Sequence, residues 1–368
     1  MQNKALEPRR RFLKNAAGSG LAAFAGLAGA QSFDFKPNQR YPDPSVLILD
    51  PSFARYRIYS STVEQLGTGM RWAEGPVYFP EGGYLLCSDI PNNRLMKYDE
   101  KTGKFTVHKQ NANYANGNTR DRQGRLVTCE HSVTRRVVRT EKNGRMTVLA
   151  DSYEGRKLNA PNDVVVKSDD SVWFTDPTFG INGEWEGSKA TPEQATTNVY
   201  RIAKDGKLSA VITDLVNPNG LAFSPDEKKL YVVEWKGTPN RSIWSYDVAA
   251  DGASVSNKTK LIDADGPGAL DGFRVDRDGN LWCGWGFNGA FAPEPTDVGG
   301  GLKAHLPLGK SEEMDGVKVF NRDGKPIGFI RLPERCANLE FGGPKRNRLY
   351  MASSHSLYAL YVEAHGAV

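Results

Sequence analysis

Six side chains carrying an oxygen donor recur at matched places along this chain: Glu74, Asn116, Asn162, Asn219, Asp271 and Asn338. Each stands 10 or 11 residues ahead of an aliphatic residue, at Leu85, Leu126, Val172, Leu230, Leu281 and Leu349. Glycine follows Glu74, Asn116, Asn219 and Asp271, and any one such pair, met alone, is the signature of a tight turn. A turn has no need of an oxygen at every preceding position. Two carboxylates and several amides brought to one point make a hard donor set, which suits Ca²⁺ with its roughly six to eight oxygen ligands. Mg²⁺ demands a tighter octahedron and Zn²⁺ favours His or Cys, although Mg²⁺, Mn²⁺ and Zn²⁺ stay open as alternatives. Such a cation polarises a carbonyl or phosphoryl oxygen while a nearby carboxylate activates water or protonates the leaving oxygen. Asp271 is the candidate for that carboxylate.

These positions meet only if the fold brings six equivalent places around one axis. The aliphatic residues anchor six similar strands: Tyr84 to Asp89, Arg125 to Glu130, Ser171 to Asp176, Lys229 to Glu234, Asn280 to Trp285 and Arg348 to Ser353. Turn residues precede several of them, as in Asp121 to Gly124 and Asp276 to Gly279. The anchors are separated by 41, 46, 58, 51 and 68 residues, and roughly 40 to 50 residues make one four-stranded propeller blade. A further alternating strand follows each anchor, such as Arg94 to Tyr98 or Ile243 to Tyr246, and helical periodicity is absent after the N-terminal segment. The expected fold is all-β, a six-bladed β-propeller of four-stranded blades. The last blade runs out of chain after its third strand, so a strand within Arg55 to Leu66 is expected to complete it and close the ring.

Residues 1–30 read as a twin-arginine export signal. Arg9-Arg10-Arg11-Phe12-Leu13-Lys14 precedes a weakly apolar run that ends at Ala28-Gly29-Ala30, a small-residue cleavage site. Residues 31–52 then form an N-terminal extension and 53–368 the propeller, and the mature protein is expected in the periplasm or outside the cell. Without the signal the formal charge falls from +5 to +1, which gives no electrostatic case for nucleic acid or an anionic membrane as partner. The only macromolecular partner expected is the export machinery of the precursor.

Cys87, Cys129, Cys283 and Cys336 form no Cys-x-x-Cys pair, and the first three lie in apolar strands where buried free thiols are expected. Neither a Gly-x-Ser-x-Gly elbow in the mature chain nor a phosphate-binding glycine loop is present.

In a closed propeller the strand after the inner one returns to the same face. Residues ending the anchor strands are therefore expected beside the cation: Asp89, Glu130 with His131, Asp176, Glu234 with Trp235, and Trp285. Two long polar connections, Pro177 to Asn198 and Gly286 to Asp315, leave from that face and are expected to act as lids.

Several stretches together resemble the family of SMP-30, gluconolactonases and related lactone hydrolases over nearly the whole mature length. They are Trp72 to Pro76, Asn116 to Asp121, Leu158 to Asp163 with Trp173 to Pro177, Pro218 to Asp226, Asp271-Gly272 and Phe341 to Gly343. The resemblance implies a six-bladed propeller that binds Ca²⁺ or another divalent ion through Glu74, Asn219 and Asp271, with Asn162 as a fourth ligand or substrate contact. It also implies Asp271 as the acid/base residue and hydrolysis of sugar lactones such as glucono-1,5-lactone to the aldonic acid. Substrate contacts are expected from Asn116, Asn118, His131, Lys157, Asp176, Trp285 and Asn338. Lys157 stands where members of the family often carry Arg, and the connection from Gly286 to Asp315 is longer than expected there. Two other functions fit the same fold. One is a phosphotriesterase or aryl esterase on the same site; the other is a non-enzymatic binding propeller with a structural metal.

Overall fold

The computed structural model describes residues 35–235, 241–264, 266–300 and 302–367. The expected export signal, residues 1–30, lies outside the described residues. Six antiparallel four-stranded sheets follow one another along the chain as the blades of a six-bladed β-propeller. The inner strands are Ala73–Phe79, Ala115–Arg120, Val164–Val166, Pro218–Phe223, Gly268–Val275 and Cys336–Gly342, for blades 1 to 6. The second strands are Tyr84–Asp89, Leu126–Glu130, Val172–Asp176, Lys229–Trp235, Leu281–Phe287 and Arg348–Ser353, within a residue or two of the anchor segments.

Blade 6 is completed by Glu64–Thr68, which pairs antiparallel with Ser356–Tyr361. Joining the two ends of the chain in one sheet removes the edge that an open ring would expose. Within the segment preceding the propeller, Val46–Ile48 pairs with Pro326–Arg331 as a fifth strand of blade 5 and covers its outer edge. Apolar side chains fill the wedges between blades. Trp173 meets Phe223 edge-on at 5.4 Å between blades 3 and 4, and Trp282 meets Phe341 at 5.5 Å between blades 5 and 6. All four cysteines are buried and free.

Five of the six inner strands depart from regular pairing where their oxygen donors lie. In blades 1, 2, 4, 5 and 6 one extra residue interrupts the ladder, between Glu74 and Val77, Ala115 and Asn118, Pro218 and Leu221, Leu270 and Phe273, and Cys336 and Asn338. Such a bulge bends the strand and re-aims a side chain. The glycines serve a packing need as well. A Cβ on Gly75 would fall 2.1 Å from the carbonyl oxygen of Asn116, one on Gly117 2.3 Å from that of Asn162, and one on Gly220 2.6 Å from that of Asp271. Each glycine therefore lets its blade touch the donor residue of the next, and Gly117 donates its N–H to the Asn162 carbonyl at 2.7 Å.

Gly117→Ala is expected to destabilise the protein by about 1–3 kcal/mol, because backbone rather than a movable side chain opposes the new methyl group. Gly183→Ala, with open space around its Cβ, should leave stability unchanged. Urea unfolding of the two variants checks this, and equal midpoints would contradict it.

Candidate active site

The acids that end the second strands set up the ring, from outside the cavity. Asp89 accepts the backbone N–H of Arg71 at 2.9 Å, Asp176 that of Asn159 at 2.8 Å, and Glu234 that of Val216 at 3.0 Å. In each case the donor lies three residues ahead of the ring residue. Glu130 does the same through the side chain of Asn113, at 2.9 Å. Asp176 is fully buried, and burial pushes its carboxyl up to about 7 against the pull of the Asn159 and Ala160 N–H groups. The acids thus clamp the segment that enters each inner strand, a different role from the expected place beside a cation.

Five of the six ring residues open into one cleft of about 310 Å³: Glu74, Asn116, Asn162, Asn219 and Asp271. Asn338 sits just behind, packed on Gly272 and close to Glu74 and Asp163, with its Oδ1 accepting the N–H of Leu339 at 2.8 Å. Asn219 donates through Nδ2 to Asp271 Oδ1 at 2.8 Å, and Arg335 donates through Nη2 to Asp271 Oδ2 at 2.9 Å. Beneath the ring, half-buried Arg274 pairs with Glu340 at 2.9 Å and faces Asp163 at 3.7 Å.

The two ring carboxylates are 4% and 6% exposed. Burial raises the Glu74 carboxyl well above the usual range, and the negative charge of Asp271 raises it further, against the N–H of Gly75 and the Asn338 amide. Burial also raises Asp271, opposed first by Arg335 and then by Arg241. Among the described residues no three His, Cys, Asp or Glu side chains gather as a metal-binding group. A cation at this place would therefore need amide oxygens. They are present: no protein hydrogen bond among the described residues engages the side chains of Asn116 or Asn162, and Asn219 spends its Nδ2 on Asp271. Two buried carboxylates held near each other, with free amides beside them, fit a hard divalent ion whose charge would relieve both.

The connection after blade 3's second strand closes over the cleft, contributing Phe179, Asn182, Gly183, Trp185 and Glu186. It is seated on blade 2. A Cβ on Gly180 would come within 2.5 Å of the His131 ring, and Ser132 Oγ accepts the N–H of Ser188 at 3.0 Å. His131 is wholly buried, with Nδ1 on the Pro161 carbonyl and Nε2 on Glu186 Oε2, both at 3.1 Å. It holds the lid and does not line the cleft.

Other expected substrate contacts also lie elsewhere. The Asn118 amide donates to the Gly75 carbonyl and Ser88 Oγ and accepts from Thr128, so its polar atoms are spent on the inner and second strands of blades 1 and 2. Lys157 donates to the Val133 carbonyl on the rim. Trp285 is core, 3% exposed and packed near Phe320. The second long connection folds into a hairpin, Thr296–Gly299 with Leu302–Ala304, and a short helix, Ser311–Met314; its described residues do not line the cleft. Side chains that the repeat did not single out do line it: Trp72, the lid residues, Arg241 and Arg335. Trp72 opens one of the family-like stretches, whereas Arg241 and Arg335 follow no period in the sequence.

Residues 72–355 match the family model described as the SMP-30/gluconolactonase/LRE-like region. A gluconolactonase of Zymomonas mobilis is 28% identical over 329 residues, covering 83% of each chain. The pentonolactonase XacC of Haloferax volcanii is 25% identical over 291 residues, 78% of this chain and 83% of its own. The solved structure of a gluconolactonase from Xanthomonas campestris superposes with a TM-score of 0.73 at 31% identity, covering 89% of this chain and 96% of its own.

The raised carboxyls fix how stability depends on pH when no metal is bound. An acid raised in the folded chain keeps its proton there but loses it in the unfolded chain above its ordinary value, 4.5 for Glu74. Stability of the chelated protein should therefore fall as pH rises from that value, by up to about 1.4 kcal/mol per pH unit for each such group. Glu74→Gln should flatten the slope and raise the melting temperature near pH 8. Thermal unfolding in chelator between roughly pH 5 and 8 measures it; identical profiles for the two proteins would refute the assignment.

Proposed function

Because this chain belongs to the SMP-30/gluconolactonase/LRE-like family and is similar to a gluconolactonase and a pentonolactonase, we propose that it is a divalent-metal-dependent hydrolase opening a sugar lactone to the aldonic acid. The observation that carries this reading is the pair of buried carboxylates, Glu74 and Asp271, facing one small cleft with free amides beside them. At about 310 Å³ the cleft suits a single sugar-sized molecule. Trp72, Phe179, Trp185 and Trp235 give it apolar walls for the carbon faces of a ring.

Glu74, Asn162, Asn219 and Asp271 would hold the cation, with Ca²⁺ the ion best matched to all-oxygen donors. When bound, it supplies Lewis-acid polarisation of the lactone carbonyl. The remaining work belongs to side chains. Hydrolysis adds water to the carbonyl carbon, breaks the ring C–O bond and delivers one water proton to the departing ring oxygen, leaving a hydroxy acid. Asp271 takes that proton and passes it on. Each of its oxygens already accepts one hydrogen bond, from Asn219 or from Arg335, and a carboxylate oxygen has a second lone pair for water. Arg335 and Asn219 fix the orientation of the carboxylate, so the proton travels between defined atoms. The lid excludes bulk solvent above it.

The twin-arginine stretch supports a periplasmic or secreted location reached through that export route. Among the described residues no helix is long and apolar enough to cross a membrane. Replacing Arg9 and Arg10 together by Lys should retain the precursor in the cytoplasm; recovery of the variant in the periplasm would overturn the assignment.

Chelation should abolish hydrolysis of glucono-1,5-lactone, with Ca²⁺ restoring it, and Asp271→Asn should lower kcat by about 10²–10⁴-fold. Full activity in chelator would remove the metal, and full activity of Asp271→Asn would remove the proposed acid/base. Turnover of a phosphotriester or aryl ester but no lactone would replace the substrate class.

A further inference from the structure

Two guanidinium groups face the cleft, and carboxylate pairing accounts for only one of them. Arg335 enters from the start of blade 6, donates to Asp271 Oδ2 at 2.9 Å and lies 5.9 Å from the centre of the Trp72 ring. Its Nε is buried without a hydrogen-bond partner. Arg241 enters from the start of blade 4's third strand, donates through Nη1 to the Leu270 carbonyl at 3.0 Å and lies 5.1 Å from the centre of the Trp235 ring. Among the described residues no carboxylate comes within ion-pair distance of it.

The Glu186 carboxylate is engaged by His131, and the two ring carboxylates face each other. Arg241 is pulled down to about 9 by burial and by the neighbouring charge of Arg335. Two like charges side by side in a partly buried cleft are unfavourable unless an anion bridges them. With Asp271 paired to Arg335 and Glu186 bonded to His131, the Arg241 charge is left in excess on its wall of the cleft. A neutral lactone does nothing for that excess. Planar guanidinium forks held by fixed contacts are well suited to carboxylate or phosphate oxygens.

We propose that Arg241 and Arg335 form an anion-binding subsite beside the reacting centre, so that the substrate is a sugar lactone carrying an acid group. This rests on the lactonase reading above. The acid group stays intact through the reaction and serves only to anchor the ring, with Arg241 acting in binding.

The test compares kcat/KM of the full, metal-loaded chain on glucono-1,5-lactone, glucaro-1,4-lactone and 6-phosphoglucono-1,5-lactone. At least a tenfold preference for one acidic lactone is expected, and the carboxylate and phosphate arms tell which anion fits. Arg241→Gln should reduce that preference tenfold or more, mostly through KM, while Arg241→Lys, which keeps the charge without the fork, should keep part of it.

Calorimetry gives a readout independent of turnover. Glucarate should bind at least tenfold more tightly than gluconate, in metal-free as in loaded protein, and Arg241→Gln should erase the difference. Circular dichroism confirms that the variants are folded; if Arg241→Gln is not, the Arg241→Lys data and the wild-type ligand comparison decide. Hydrolysis of the neutral lactone as fast as of both acidic ones, with equal binding of glucarate and gluconate, would overturn the subsite and leave the lactonase intact. Failure to hydrolyse any of the three would remove the lactonase reading, and the inference with it.

Discussion

The close approach of neighbouring inner strands at the propeller axis is the constraint on which the rest of the structure depends. At Gly75, Gly117 and Gly220 a methyl group would collide with the carbonyl of the next blade's donor residue. Glycine is needed there so that the donors can come together, and the bulges at the same places turn them toward the cleft. Steric contact between backbones thus decides both the closure of the ring and the convergence of its polar side chains. Blade 3 solves the problem differently. Its Asn162 is followed by Asp163, its ladder has no bulge, and Asp163 turns down toward Arg274. The charge removed from the cleft at that blade reappears beneath the ring, where Arg274 and Glu340 meet it.

A ring of buried polar groups is unfavourable on its own, and the structure stabilises it from behind. Asp89, Asp176 and Glu234 each take a backbone N–H three residues ahead of the donor, and Glu130 takes the Asn113 amide at the corresponding place. Three of these acids also reach toward the outer strands. Arg94 bonds to Asp89, Arg136 to Glu130, and the Trp244 indole to Glu234. Each clamp ties the inner strand to the third strand of its own blade, so a donor cannot shift without disturbing a whole sheet. Such anchoring holds the segment entering Glu74 although burial and the charge of Asp271 work against that carboxylate, whereas Asp271 is held by Asn219 and Arg335.

The blades were legible in the sequence because every one repeats the same local chemistry: turn residues, an aliphatic anchor and period-two alternation. The donor ring was legible for the same reason, as a phase relation to those anchors. What the phase could not reveal was direction. Asp176 and Asn118 sit at repeated places, yet their polar atoms are spent on backbone and neighbouring strands. Trp285 holds the register of Glu234, one residue before that of Trp235, and packs into the core whereas Trp235 lines the cleft. Side-chain direction at a strand end follows from the local bulge and from the adjoining blade, and neither is written in one strand's pattern. Glu186, Arg241 and Arg335 belong to connections or strand starts outside the period, so only the closed ring brings them together.

The lid shows how far such non-local dependence extends. Its cleft-lining carboxylate, Glu186, is fixed by His131 from a different blade, and His131 is itself fixed by the Pro161 carbonyl. Pro161 immediately precedes the ring residue Asn162. A continuous chain of contacts thus runs from Asn162 through Pro161 and the buried imidazole to Glu186. Gly180 packs so closely on the imidazole that a Cβ there would fall 2.5 Å from the ring. Floor and roof of the cleft are joined through His131, the Ser132–Ser188 hydrogen bond and the Thr178–Asn217 hydrogen bond, so residues that do not line the cleft still help to set its shape.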